Sequence, residues 1–332
     1  MKTSIGMPAT SAAICAQSLS MRFRSSIAVD GLTFAVKDGE LFGLIGSDGS
    51  GKTTTIRLLA SIMEPTSGDA WVLGHHVVRE SDAIRQQIGY MGQTVGLYDD
   101  LTVLENAEFY ADIYGVCRSS RSKQIDRLLE FARLTPFKKR LAGHLSGGMK
   151  QKLGLVCALV HDPRVLLLDE PTNGLDPVSR HEFWGLLQPL LARGVTILMS
   201  TAYMDEAERF GRLALMHNGR IVTIGAPSAV KDFARGAIVE IQSSESRHVA
   251  VVVQELVPGC RARLVGENVR VWMPMGVELR NRIERALADA GVSFGSISEV
   301  EPSVEDVFVA MLGEGRREEQ QKPADEADPR GR

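Results

Sequence analysis

The stretch Gly46-Ser47-Asp48-Gly49-Ser50-Gly51-Lys52-Thr53 decides the reading of this chain: two glycines with four residues between them, then a lysine and a hydroxyl residue. The apolar run Leu41, Phe42, Leu44, Ile45 before it predicts a buried strand, and Thr54 to Ile62 after it predicts a helix. The loop therefore joins strand to helix, which is the context this spacing requires. Its glycines permit positive φ and close backbone approach, so consecutive N–H groups and the helix N-terminus converge on phosphate oxygens. In that geometry Lys52 meets the β and γ phosphates, Thr53 holds Mg²⁺, and Thr54 extends the cradle. The loop alone says only that a nucleoside triphosphate binds, because many unrelated phosphate-handling proteins share it.

The 332 residues suit about two domains of ~150 residues each. A hydrophobic content of 44% is ample for packed cores, and a net charge of −3 gives no basic field for nucleic acid. Cys15, Cys117, Cys157 and Cys260 have no metal-ligand spacing and read as plain thiols of a reducing compartment. No uninterrupted apolar run approaches the ~18 residues of a membrane-spanning helix, so any membrane pathway is expected from another chain.

Residues 1–15 read as a disordered leader. Beyond it, Ala28 to Val36 is expected to hold a turn at Asp30-Gly31 between two strands. Phe23, about one hairpin upstream of the phosphate loop, is either an adenine-stacking ring or an ordinary strand aromatic. Pro65 to Asp69 is a turn, Ile88 to Met91 a strand that runs on to Gln93, and Thr102-Val103-Leu104-Glu105 a capping box opening a helix. Ile125, Leu128, Leu129 and Ala132 mark a further amphipathic helix, so residues 94–160 form a mostly helical insert between strands.

The insert ends in Leu145-Ser146-Gly147-Gly148-Met149. Ser146 is a natural N-cap, and Gly147 and Gly148 at a helix start make a second anion cradle, although taken alone this is an ordinary capped helix. The next segment, Val165 to Pro171, changes that weighting: a buried strand delivers Asp169 and Glu170 at its C-terminal end, where α/β sheets place their sites. Asp169 suits Mg²⁺, and Glu170 suits orienting or deprotonating an attacking water. Asp176 and Pro177 then read as N-cap and first residue of a helix.

The ordered set of phosphate loop, Gln93, Leu145 to Met149, Leu168 to Pro171 and Gly174 to Asp176 resembles the ATPase subunit of an ATP-binding-cassette transporter over residues 16–228. The resemblance implies a P-loop α/β core with a mixed sheet, ATP and Mg²⁺ as ligands, and Gln93 beside Thr53 and Asp169 at the metal and in catalysis with Glu170 and Lys52. It implies a head-to-tail pair of cassettes, with ATP between the phosphate loop of one and Ser146-Gly147-Gly148 of the other. Leu97 to Thr102 and Tyr203 to Ala207 are most similar to the bacterial drug-efflux branch, where membrane-spanning permease subunits are separate chains. The implied location is peripheral, on the cytoplasmic face of the inner membrane. A non-transport cassette protein and an ATP-binding regulatory subunit with little turnover are the alternatives.

Two positions depart from the family: Asp48 stands where Asn is usual, and Ala202 where His is usual. Both fall on the phosphate-loop side while the signature side is intact, so a heteromeric cassette pair is favoured over a homodimer. Residues 236–313 read as a small α+β domain, closing in Pro302 to Phe308, and the charged residues 314–332 as a disordered tail.

Overall fold

Every residue of the Leu41–Ile45 run is buried in the computed structural model, which describes residues 12–24, 26–232, 236–257, 259–274 and 279–308. These form two units, one through Ala226 and one from Pro227.

The first unit opens with β1 (Ala12–Phe23) and β2 (Ser26–Lys37), long antiparallel partners. β3 (Leu41–Ile45) runs into the phosphate-loop stretch and α1 (Lys52–Leu59). With β4 (Ser67–Val72) and β5 (His75–His76) the first two strands make a sheet in the order β2-β1-β4-β5. There follow α2 (Ser81–Arg85), β6 (Ile88–Met91), the helices α3 (Val103–Ile113), α4 (Arg118–Phe131) and α5 (Gly147–Leu159), then β7 (Val165–Asp169), α6 (Pro177–Ala192), β8 (Thr196–Thr201), β9 (Arg212–His217) and β10 (Arg220–Gly225). The second sheet has the order β10-β9-β3-β8-β7-β6, parallel except for β10. Covered on both faces, its central strands are continuous apolar runs, as in Val165–Leu168. One core joins the two sheets through α1, with Val29 and Leu32 from the first, Leu44, Leu167 and Leu198 from the second, and Ile56 and Leu59 from the helix.

Three expectations are corrected here. Ser67 to Asp69, expected in a turn, are the first residues of β4, paired with β1, and only Pro65 and Thr66 precede the strand. β1 already begins at Ala12, and the small apolar residues Ala13 and Ile14 are buried between β2 and β4, so residues 12–15 are strand rather than leader. Residues 1–11 lie outside the described residues. Asp30-Gly31 does not separate two strands: β2 runs through it. Gly31, at φ 65, takes up one extra residue opposite Ser20, whose Oγ accepts from the Gly31 N–H at 2.9 Å. The same left-handed freedom that suits a turn here makes a β-bulge, and the chain reverses after Phe23 instead.

In the insert, Thr102 caps α3 reciprocally: Glu105 N–H donates to Thr102 Oγ1 at 3.2 Å, and Thr102 N–H to Glu105 Oε2 at 2.8 Å. Val103 and Ala107 of α3, Ile125 and Leu129 of α4, and Leu153 and Val156 of α5 form its core.

The second unit contains α7 (Pro227–Asp232), β11 (Gly236–Gln242), α8 (Ser246–Leu256), β12 (Arg261–Val265), β13 (Asn268–Pro274), α9 (Leu279–Asp289) and β14 (Ile297–Val300). Its antiparallel sheet, β12-β13-β11-β14, packs Val239, Ile241, Val269 and Val271 against Val249 and Val253 of α8 and Ile283 and Leu287 of α9. Asp306, 3% exposed, ties the closing segment to the sheet through Arg263 at 2.7 Å and Arg270 at 3.2 Å. The charged tail lies outside the described residues. Among the described residues no helix is long and apolar enough to cross a membrane.

Candidate nucleotide-binding site

The parallel strands β3 and β7, with β8 between them, end side by side, which brings the phosphate-loop stretch, Asp169 and Glu170 to one edge of the sheet. The loop is pinned there by Gly46 N–H donating to Thr201 O at 3.3 Å. Gly51 sits at φ 101 at the head of α1, and a Cβ there would lie 2.4 Å from Ala28 O, so only glycine fits. α1 has no side-chain cap and no acidic residue in its first turn. Its first N–H groups are therefore left uncapped by any side chain, as an anion-binding helix start requires.

Lys52 is 3% exposed. Its Nζ donates to Gly46 O at 2.8 Å and Ser47 O at 3.0 Å, and pairs with Glu170 Oε1 at 3.0 Å. Glu170 occupies the left-handed region at φ 49, a conformation costing a non-glycine residue about 1–3 kcal/mol. What holds it is Ser200, whose Oγ accepts from Glu170 N–H at 2.9 Å and donates to Asp169 Oδ1 at 2.8 Å. Glu170 Oε2 accepts from Gln93 Nε2 at 3.3 Å and from Asn173 Nδ2 at 3.2 Å.

Thr53 Oγ1 also donates to Asp169 Oδ1, at 3.0 Å, whereas Asp169 Oδ2 is buried without a partner among the described residues. Burial pushes the Asp169 carboxyl above the usual carboxylate range, and the hydrogen bonds from Ser200 and Thr53 pull part of the way back. A hard divalent cation beside Thr53 Oγ1 and Oδ2 would satisfy the orphaned oxygen and favour the ionised form, so the donor set fits Mg²⁺.

A cavity of about 380 Å³ opens over Asp48, Gly49, Gly51 and Lys52 to Thr54, with Gln93 and Glu170 opposite and Ala28 at its side. Of the other expected residues, Gly46 and Ser47 serve the cradle through the carbonyls that hold Lys52, and Ser50 is buried behind it. Phe23, 42% exposed at the end of β1, does not line the cavity. Nor do Ser146, Gly147 and Gly148. Ser146 instead caps α5, accepting from Met149 N–H at 3.3 Å, and a Cβ on Gly148 would meet Ser179 Oγ of α6 at 2.5 Å. The two cradles of the chain are thus not parts of one cavity. Ala202 is half-buried just beyond β8 and offers only a methyl group.

Ser200, Asn173 and Tyr203 were not expected at the site. Ser200 lies 31 residues from Asp169 and carries a common hydroxyl, so no local pattern marks it; only the parallel pairing of Asp169 with Ser200 brings them together.

Comparison with known proteins agrees with this geometry. Residues 29–173 match the family model described as ABC transporter. The probable multidrug ABC transporter ATP-binding protein YbhF of Escherichia coli is 40% identical over 291 residues, covering 86% of this chain and 49% of that protein. The chain thus spans about half the length of that relative. The Nod factor export ATP-binding protein I of Burkholderia pseudomallei is 37% identical over 304 residues, 90% of this chain and 96% of the relative. A solved ATP-binding subunit of an ABC transporter is 32% identical with a TM-score of 0.61, over 66% of this chain and 92% of its own. With a phosphate loop, a carboxylate pair at the adjacent strand end and a capped Ser-Gly-Gly helix in one fold, this chain belongs to the ABC transporter family, as an ATP-binding subunit built on the ATPase cassette.

Proposed function

We propose that the chain binds Mg-ATP on its phosphate loop and, as half of a cassette pair, converts ATP binding and hydrolysis into movement of separate membrane-spanning permease subunits of a multidrug-type exporter. The observation that carries this is the convergence of Thr53 and Ser200 on Asp169 Oδ1, which leaves Oδ2 orphaned among the described residues, with Lys52 and Gln93 each within hydrogen-bond reach of Glu170. One relative named above is a Nod factor export ATP-binding protein and the other a probable multidrug ABC transporter ATP-binding protein, which supports the exporter reading.

In this reading Lys52 transfers its ammonium from Gly46 and Ser47 carbonyls and Glu170 to the β and γ phosphates. Thr53, Asp169 and Gln93 would hold Mg²⁺, which would supply charge neutralisation on the phosphates. Glu170, released from Lys52, aligns the attacking water and receives its proton. The second cradle is supplied in trans: Ser146, Gly147 and Gly148 close the partner cassette's site, since they do not line their own chain's cavity. The assembly sits at the cytoplasmic face of the inner membrane, held there by its permease.

The pair is heteromeric. Ala202 offers no imidazole to hold γ-phosphate and water together, and lost positioning or charge stabilisation costs roughly 10²- to 10³-fold in rate. Asp48, exposed on the loop, adds a carboxylate beside a polyphosphate. A regulatory subunit that binds ATP with little turnover is the second reading, and Ala202 is what favours it. Steady-state ATPase activity of the isolated chain beside the native complex tests both. The isolated chain is expected to be slow, Ala202→His to raise its rate, and Ser146→Arg to abolish turnover in the complex. An isolated chain that matches the complex and ignores Ala202→His would refute the heteromeric pair.

A further inference from the structure

We infer that Asn173, oriented by Tyr203, is a positioning residue for the Glu170 carboxylate and supplies the fixed hydrogen bond that aims it once ATP is bound. The inference rests on Glu170 being the group that acts on water.

Among the described residues Glu170 has three side-chain donors: Lys52 at 3.0 Å on Oε1, and Gln93 at 3.3 Å and Asn173 at 3.2 Å on Oε2. Lys52 and Gln93 have other duties when nucleotide and ion arrive, on the phosphates and on the metal. Asn173 has none. It belongs to the same turn as Glu170, with its N–H donating to Glu170 O at 3.1 Å, so its side chain keeps station when the glutamate does. A donor held by its own turn loses little freedom on bonding a charged acceptor.

The amide is not free to flip. Its Oδ1 accepts from Tyr203 Oη at 3.4 Å, which turns Nδ2 toward Glu170. Tyr203 Oη also accepts from Gly174 N–H at 3.5 Å, and the ring is covered by Arg180, whose guanidinium carbon lies 4.0 Å from its centroid. Arg180 is itself fixed by Asp205 at 3.2 Å. Tyr203 directly follows Ala202. A tether thus runs from the strand end where an imidazole is missing to the carboxylate that must work without it.

The test is single-turnover and steady-state hydrolysis of Mg-ATP by the full chain, with Glu170→Gln as control. Asn173→Ala should lower kcat about 10-fold, as expected for losing one hydrogen bond to an ionised group, with KM for Mg-ATP changed less than about 2-fold. Asn173→Ser, which keeps a short donor, should recover part of the loss. Tyr203→Phe should lower kcat about 3-fold in the native background and have no further effect beside Asn173→Ala, the signature of a shared tether. Thermal melting of each variant separates misfolding from loss of positioning. An unchanged kcat in Asn173→Ala, with Glu170→Gln inactive, overturns the tether and spares the role of Glu170. Equal losses from Tyr203→Phe in both backgrounds also overturn it. If Glu170→Gln keeps full activity, the reading of the site itself fails.

Discussion

Replacing Lys52 by alanine should damage the fold and the ligand site by separable amounts. Lys52 and Glu170 are 3% and 5% exposed as side chains and 3.0 Å apart, so removing the ammonium strands a buried carboxylate. Breaking such a pair costs about 3–5 kcal/mol. Gln93 and Asn173 still donate to Oε2, which places the expected loss toward the lower end, about 3 kcal/mol. The same substitution removes a charge-assisted phosphate contact worth roughly 1.5–3 kcal/mol, or about 10- to 150-fold in Mg-ATP affinity. Glu170→Gln in the Lys52→Ala background separates the two. The neutral amide needs no counter-ion, so most of the stability should return while the affinity does not. Urea unfolding of the single and double variants reads the first quantity, and equilibrium titration with Mg-ATP the second. A double variant no more stable than Lys52→Ala would show that the ion pair is not what the lysine contributes to the fold. Unchanged affinity would mean that the loop is not the ATP site.

Ser200→Ala should leave the Glu170 N–H and an Asp169 oxygen without their shared hydroxyl, costing about 2–3 kcal/mol of stability and lowering ATPase activity; unfolding and kcat of the variant check this, and a silent substitution would show that Ser200 does not hold the left-handed Glu170. In the second unit burial pushes the Asp306 carboxyl up, but hydrogen bonds from Ser303 and Arg263 outweigh it and leave the group below the usual carboxylate range. A depressed carboxylate contributes stability that is present above its unfolded-state value and lost as pH falls through its folded-state value. Asp306→Ala should therefore destabilise the second unit by about 3–5 kcal/mol at neutral pH and by progressively less toward acid, read by unfolding at a series of pH values. A loss independent of pH would exclude the ion pairs as its cause.

The parts of the fold and site legible in the sequence are those written locally. The phosphate loop between strand and helix, the capping box at Thr102, the caps at Ser146 and Asp176, and the strand ending in Asp169 each depend on residues within a few positions of one another. Asp30-Gly31 misled because a left-handed glycine serves a turn and a bulge equally, and only pairing with Ser20 decides between them. The Lys52–Glu170 pair and the Ser200 bridge join residues far apart in sequence through parallel strand pairing. Serine and asparagine carry no pattern that foretells such a partner. Phe23 stays open between stacking ring and strand aromatic on its distance along the chain alone, and the fold puts Ala28 of β2, not Phe23, at the cavity.

The claim that this chain drives a separate membrane exporter is tested most directly by affinity purification of the tagged chain from detergent-solubilised native membranes, with the retained proteins identified by mass spectrometry. The account predicts recovery in the membrane fraction together with a polytopic membrane protein and a second, non-identical cassette. Recovery in the soluble fraction alone, with no membrane protein retained, would contradict it.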